Sequence, residues 1–117
     1  MHLPPDPERF VREWLAAFNN REWEAYGHYF ADDVTYSTPG QAEPIQTRAG
    51  HVEHDKQNAG DGHLRATLVV AGADGRHIAV EGLFEEGQRR SNWVTLLEFR
   101  HGLIAAERLY FDRTPAA

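Results

Sequence analysis

Two groups of residues in this sequence have side chains that can transfer protons. In the segment 103–112, Glu107 alternates in step with Leu109 and Phe111, so a carboxylate shares a strand face with two apolar residues. A carboxylate held in an apolar cavity can act as an acid or a base near neutral pH. The alternative is that Glu107 lies at the end of the strand, solvated or paired with an arginine.

The second group is the segment HVEHD, which begins at His51. On a helix His51 and Asp55 are one turn apart and can touch, and a carboxylate can hold an imidazole in the tautomer that catalysis requires. His51 and His54 can also form a metal pair with His63 or Asp61, but the HExxH spacing of zinc proteases is missing. A solvated helix face, a polar group in a pocket and a metal ligand all stay open, and we predict no metal.

Three helices are predicted in the first half of the chain to hold these groups. The first covers 6–20, where apolar residues recur at helical spacing and Asp6 can act as the N-cap. The second follows over 21–31. The third covers 47–59, with Thr47 as its N-cap.

Strands make up the rest of the prediction. A first strand over 34–38 is followed by a loop to about Gln46. From Leu64 onward four strands form a meander, with bounds 64–71, 77–86, 91–99 and 103–112.

Helices segregated from an antiparallel sheet indicate an α+β fold. We predict one domain over 1–117, with a cone-shaped, curved, mostly antiparallel β-sheet and three N-terminal-half helices packed on its concave face. Such a sheet leaves a cavity at its open end, where ligands commonly bind.

The composition excludes several classes of partner. A formal charge of −6, from 18 acidic and 12 basic residues, repels phosphate backbones, so no nucleic-acid partner is expected. The basic run QRR at 88–90 is interpreted as a solvated hairpin tip. Cysteine is absent, which excludes thiol chemistry. No segment reaches membrane-spanning length, so we predict no membrane partner and a cytoplasmic location. Without a glycine-rich phosphate loop, no cofactor is implied.

Two stretches carry a resemblance to a known family. FADDVTYSTPG follows two predicted helices, and RHGLIAAERLYFD forms the last predicted hairpin. In this order they resemble the nuclear-transport-factor-2-like superfamily, and more narrowly the SnoaL-like polyketide cyclases and ketosteroid isomerase. The resemblance covers nearly the whole chain and implies the fold. It does not choose an activity, because the superfamily includes isomerases, cyclases, epoxide hydrolases, dehydratases and proteins without catalysis.

The catalytic residues of these relatives are not reproduced here. The resemblance places Thr38 where ketosteroid isomerase has its carboxylate base, Thr95 where it has a protonated acid, and Trp14 where it has an oxyanion-binding tyrosine. Steroid isomerisation is therefore not expected. The inward carboxylate of the cyclases and epoxide hydrolases matches Leu109, one pleat away from Glu107, and the arginine beside that acid has no counterpart.

We predict Glu107 and His51 as catalytic residues. The residues expected to line the cavity and hold the substrate are Trp14, Phe18, Tyr26, Tyr36, Thr38, Asp55, Trp93, Thr95, Leu109 and Phe111. Together they favour a small, flat, mostly apolar molecule as the partner.

Val94, Leu96 and Tyr110 share the opposite parity, on the outer face of the sheet. An exposed apolar sheet face commonly binds a partner, so we expect a homodimer through this face. The alternative is a monomer with scattered apolar surface residues.

Three functions remain open on the sequence. The first is an enzyme that isomerises, cyclises, dehydrates or hydrolyses a small hydrophobic compound by acid-base chemistry. The second is a module that binds such a compound without altering it. The third is an assembly domain that uses only its outer sheet face.

Overall fold

The computed structural model describes residues 2–113 of the chain. Three helices and two strands make up its first half, and four long strands follow. In chain order the elements are α1 (Pro7–Asn19), α2 (Trp23–Gly27), β1 (Phe30–Ser37), β2 (Ile45–Gln46), α3 (Arg48–Asn58), β3 (His63–Ala71), β4 (His77–Glu86), β5 (Arg89–Arg100) and β6 (Leu103–Arg113). No helix among these residues is long and apolar enough to cross a membrane.

The first and third helices begin at the predicted caps. Asp6 accepts a hydrogen bond from the backbone N–H of Arg9 at 3.1 Å, and Thr47 Oγ1 accepts one from Gly50 N–H at 3.1 Å. Each cap satisfies a backbone donor that has no partner within the helix. Both predicted caps are therefore confirmed.

The second helix is much shorter than predicted. It ends at Gly27, and Phe30, which lies inside the predicted range 21–31, instead opens β1. The reason is pairing with β6: the Tyr29 carbonyl accepts a hydrogen bond from Ile104 N–H at 2.9 Å. A backbone carbonyl committed to a strand cannot also extend the helix. The predicted helix over 21–31 was wrong beyond Gly27, and the strand predicted over 34–38 begins four residues earlier.

The six strands form one curved, unclosed sheet in the order β2-β1-β6-β5-β4-β3. All neighbours are antiparallel except β1 and β6, which run parallel. The short β2 lies inside the segment that was predicted as a loop. The α+β class, the curved and mostly antiparallel sheet, and the three helices in the first half of the chain are confirmed.

Burial alternates along β5 and separates the two faces of the sheet. The buried residues of this strand are Trp93, Thr95, Leu97 and Phe99. Between them, Val94 and Leu96 are exposed on the convex face. On the concave side α1 buries Val11, Trp14 and Phe18 against the sheet. Since each large apolar side chain contributes about 1.5–3 kcal/mol when buried, this contact is a main source of stability.

Gly82 on β4 permits the close approach of a ring on the next strand. A Cβ at this position would lie 2.3 Å from Trp93 Cζ2 and 2.4 Å from the carbonyl oxygen of Arg65. Because one of these neighbours is backbone, the clash cannot be relieved by a side-chain rotation alone.

We therefore expect Gly82→Ala to lower the free energy of unfolding by about 1–3 kcal/mol, the usual cost of overpacking. Urea denaturation followed by circular dichroism measures the change. Glu98→Ala, on the exposed face of the neighbouring strand β5, is the control and should change stability by less than about 0.5 kcal/mol. Equal stability of the two variants would contradict this view of the Gly82–Trp93 contact.

Candidate functional site

A cavity of about 1270 Å³ lies between the helices and the concave face of the sheet. The structure places most of the predicted site residues on its wall. They are Trp14, Phe18, Tyr26, Tyr36, Thr38, Asp55, Trp93, Glu107, Leu109 and Phe111. Phe111 lies at the open rim, since 46% of its surface is exposed. Tyr110, which was expected on the outer face, is partly exposed and also reaches the rim.

His51 and Thr95 are the two predicted site residues that lie behind the wall. His51 is 0% exposed and Thr95 is 1% exposed, and neither is among the residues that line the cavity. They cannot touch a molecule in the cavity as the side chains stand. Their contacts to residues on the wall define their role.

Glu107 is held from behind by both of these residues. Its Oε1 lies 2.8 Å from His51 Nε2, and its Oε2 accepts a hydrogen bond from Thr95 Oγ1 at 2.8 Å. The side chain is buried, at 5% exposure, yet it forms part of the cavity wall. Each carboxylate oxygen has two lone-pair sites, so both oxygens keep a site for a further hydrogen bond.

Asp55 is the second carboxylate on the wall. Its Oδ2 accepts a hydrogen bond from the Tyr26 hydroxyl at 2.7 Å, and its Oδ1 lies 3.3 Å from His54 Nδ1. His51 Nδ1 lies 3.0 Å from Asp55 Oδ2, which is ion-pair distance but outside hydrogen-bond geometry. The predicted contact between His51 and Asp55, one turn apart on α3, is present.

A bulge in β6 brings Glu107 to the cavity side. Ile104 and Glu107 are both buried, although three positions apart, so simple alternation would put them on opposite faces. The register with β5 shifts at this point, because Glu98 pairs with Ala106 whereas Phe99 pairs with Ile104. The extra residue in β6 reverses the alternation, as β-bulges do.

The two carboxylates keep His51 charged. Burial alone would lower its pKa, but the charges and contacts of Asp55 and Glu107 outweigh burial and raise the pKa of His51 to about 10. Burial would likewise raise the pKa of Asp55, but the charge of His51 and the hydrogen-bond donors around the carboxylate lower it. At neutral pH His51 is therefore an imidazolium between Asp55 and Glu107, with Nε2–H donating to Glu107.

Two tyrosines next to the carboxylates stay neutral. Burial first, and the charges of Asp55 and Glu107 next, raise the pKa values of Tyr26 and Tyr36 well above the usual value of about 10. The Tyr36 ring packs on His51, with 4.6 Å between ring centroids. Neutral phenols of this kind can donate hydrogen bonds but do not act as bases at neutral pH.

A metal pair of His51 and His54 was one of the alternatives that the sequence left open. No group of three or more His, Asp or Glu residues within 2–113 has an arrangement that can hold a metal ion. The alternative of a metal pair with His63 or Asp61 therefore has no support in the structure.

The β4–β5 hairpin forms a part of the wall that was not predicted from the sequence. Phe84, Glu86, Gln88 and Arg89 all line the cavity near its mouth. The alternation of β5 could have predicted that Arg89 starts from the concave face, because Arg89 shares the parity of Trp93 and Thr95. The run QRR was assigned to solvent because the sequence does not show where the hairpin tip lies relative to the helices.

Comparison with known proteins agrees with this architecture. Residues 11–107 match the family model described as SnoaL-like domain. The chain is 27% identical to a candidate ketosteroid isomerase from Kribbella flavida DSM 17836, with a TM-score of 0.81 and coverage of 93% of this chain and 79% of that one. No curated protein matches the chain.

Two more distant solved structures share the fold alone. An NTF-2 like protein of unknown function from Burkholderia xenovorans LB400 is 22% identical, with a TM-score of 0.78 and coverage of 95% of this chain and 89% of that one. SalBIII, an epoxide hydrolase/cyclase-like enzyme in pyran ring formation of the polyether salinomycin, is 20% identical, with a TM-score of 0.77 and coverage of 91% and 90%.

The raised pKa of His51 makes stability depend on pH. The folded state keeps the His51 proton up to a pKa of about 10, whereas the unfolded chain loses it near the ordinary value of 6.5. The stabilisation is therefore complete below pH 6.5 and is lost as pH rises toward 10. We expect the free energy of unfolding to fall between pH 6.5 and 9, by at most about 1.4 kcal/mol per pH unit. Urea denaturation at several pH values measures this slope.

Two variants test whether the slope belongs to His51. His51→Gln should remove it, because the titrating group is gone, while His54→Gln should keep it. The range stops at pH 9 because the raised pKa values of Tyr26 and Tyr36 add their own dependence near pH 10. A slope of the same size in His51→Gln would show that His51 is not its source.

Proposed function

Since this chain belongs to the SnoaL-like domain family, we propose that its cavity binds a small hydrophobic molecule and that Glu107 moves a proton to or from it. The single observation that carries the proposal is the position of Glu107. It is a buried carboxylate on the cavity wall, and a buried cation and a hydroxyl hold it from behind.

The surroundings of Glu107 support a role as a general base. His51 Nε2–H and the Thr95 hydroxyl both donate to it, which holds the carboxylate in place and leaves lone pairs on both oxygens for a substrate proton. An ionised carboxylate with free lone pairs can take a proton from a substrate and return it at another position. Proton transfer of this kind needs no cofactor, and it is the shared step of isomerisation, cyclisation and dehydration.

His51 acts through Glu107 in this proposal. It does not reach the cavity, so we assign it a positioning role instead of contact with substrate. When Glu107 takes up a proton, the imidazolium keeps one charged partner, Asp55. The buried cation is therefore never left without a carboxylate, which limits the electrostatic cost of the proton transfer.

The remaining wall residues suit a molecule with few polar groups. Leu109, Phe18 and Tyr36 give an apolar surface, and Trp14 and Trp93 have buried indole N–H groups with no acceptor in the described part of the chain. An unpaired buried donor costs about 1–3 kcal/mol, so small movements that bring a ligand oxygen to these groups are favourable. Ligands with carbonyl or ether oxygens fit best.

Binding without chemistry is the second candidate function. The residues at the catalytic positions of ketosteroid isomerase are Thr38, Thr95 and Trp14, none of which is a carboxylate. The cavity alone would then be the functional feature, and a bound compound would be recovered unchanged.

We expect Glu107→Gln to lower turnover by about 100-fold or more, the usual contribution of a general base. The amide keeps the shape and cannot accept a proton. A panel of apolar carbonyl compounds and epoxides, assayed by mass spectrometry and by deuterium uptake in D₂O, would identify the substrate and measure the loss.

Glu98→Gln is the matched control, because Glu98 lies on the exposed face of β5. It should turn over the same compound at the rate of the unmodified protein. Full activity of Glu107→Gln would reject the proton-transfer role, and compounds that bind but remain unchanged would favour the second function.

We also propose that the chain forms a homodimer through the convex face of the sheet. Strand register aligns Leu68, Glu81, Val94 and Tyr110 in one row, with Val70 and Leu96 in the next. The apolar members of these rows are 37–53% exposed. A group of exposed apolar residues on one face is typical of a protein–protein interface.

A single charge in this face should weaken the dimer. We expect Leu96→Glu to shift the protein to monomer in sedimentation equilibrium, because a buried unpaired carboxylate opposes association. Arg12→Glu, on the exposed side of α1, is the control and should leave the association unchanged. A monomer in the unmodified protein at high concentration would reject the dimer.

A further inference from the structure

The tip of the β4–β5 hairpin places an arginine at the mouth of the cavity. Glu86 pairs with Arg89 across the turn, and both residues line the cavity. Along β5, Arg89 has the parity of Ser91, Trp93 and Thr95, the residues of the concave face. The side chain of Arg89 therefore starts from the side of the sheet that carries the cavity.

Both arginines of the tip, Arg89 and Arg90, line the cavity, and within residues 2–112 only Arg90 has a carboxylate at ion-pair distance. Arg90 Nε lies 3.4 Å from Glu85 Oε2, in the neighbouring cross-strand pair on the opposite parity. Arg89 forms no ion pair within 4.0 Å among the residues that the structure describes. The facing Glu86 is engaged elsewhere, since its Oε2 accepts a hydrogen bond from Asp61 N–H at 3.0 Å.

The charge in the cavity changes sign from its base to its mouth. At the base, two carboxylates and one imidazolium leave a net charge of −1 at neutral pH. At the mouth the two cations Arg89 and Arg90 and the one carboxylate of Glu86 sum to a formal charge of +1. The guanidinium of Arg89 can bind an anion with two parallel hydrogen bonds. An anionic group is therefore repelled from the base and attracted to the mouth.

The strand between these two charges sets a length for the ligand. Thr95, which touches Glu107, and Arg89 are six residues apart on β5. At about 3.3 Å per residue this is about 20 Å of strand, and the long arginine side chain shortens the gap that a ligand must span. A fused-ring or extended-chain molecule can fill that gap, whereas a small metabolite cannot.

We propose that the ligand is an elongated, mostly apolar organic anion, with its carboxylate or similar anionic group paired to Arg89 at the mouth and its neutral end next to Glu107. The inference rests on the proposed function, because it assumes that the cavity binds a small molecule. It adds the class of molecule and its direction in the cavity.

A pair of fluorescent probes that differ only in charge tests this inference. The anionic probe is 8-anilinonaphthalene-1-sulfonate, and the neutral probe is its parent, N-phenyl-1-naphthylamine. Arg89→Gln should weaken binding of the anionic probe about tenfold, as expected for the loss of about 1.4 kcal/mol, and should leave the neutral probe unchanged. Added salt should weaken only the anionic probe.

Two charge-matched variants are the controls. Arg12→Gln removes the same charge from the exposed side of α1 and should not change the binding of either probe. Arg90→Gln should have a smaller effect than Arg89→Gln, because Arg90 is paired with Glu85. An equal or larger loss in Arg90→Gln would reject the assignment to Arg89.

The remaining outcomes separate this inference from the proposed function. If Arg89→Gln binds both probes as the unmodified protein does, or loses both equally, Arg89 does not recognise the anion and the inference fails, while the binding cavity stands. If neither probe binds the unmodified protein, the cavity does not take small apolar molecules and the proposed function fails with it.

Discussion

The buried cation His51, between two carboxylates, is the interaction on which the rest of the site depends. It joins α3 to β6, because Asp55 comes from the same helix and Glu107 comes from the sheet. Burying a charge is costly unless it is paired, so the helix and the strand must keep this distance for the folded state to be stable. The same contact holds the Glu107 carboxylate that faces the cavity. A change at His51 therefore affects both the stability of the fold and the position of the proposed base.

The protein has a second histidine between two carboxylates, and this one lies on the surface. His77 also lies between two carboxylates, with Asp74 at 2.5 Å and Glu98 at 3.4 Å, but all three side chains are about half exposed. Water screens those charges, so the exposed trio contributes little. In the His51 group water is excluded, so Asp55 and Glu107 raise the pKa of His51 even though burial itself acts to lower it.

Local patterns in the sequence predict the parts of the structure that depend on near neighbours. The caps Asp6 and Thr47, the contact of His51 with Asp55 and the alternation of β5 all follow from spacings of a few residues. The prediction fails where a segment distant in sequence competes for the same backbone group. Ile104 N–H of β6 donates a hydrogen bond to the Tyr29 carbonyl, and α2 ends early. Glu107 was predicted to face the cavity by its step with Leu109, but the bulge that puts it there depends on pairing with β5 and leaves no local signal. The partner of Glu107 and the place of Arg89 likewise required the tertiary structure.

The parallel pairing of β1 with β6 has a consequence for how the protein folds. Phe30 pairs with Ile104, so two of the most distant strands of the chain are neighbours in the sheet. Contacts between residues far apart in sequence form slowly, because a long loop must close before they stabilise anything. The meander of β3, β4 and β5 can assemble from adjacent hairpins, whereas β1 acquires its long neighbour only when β6 docks. His51 and Glu107 are also far apart in the chain, by 56 residues. We therefore expect the polar centre of the cavity to form after the local hairpins.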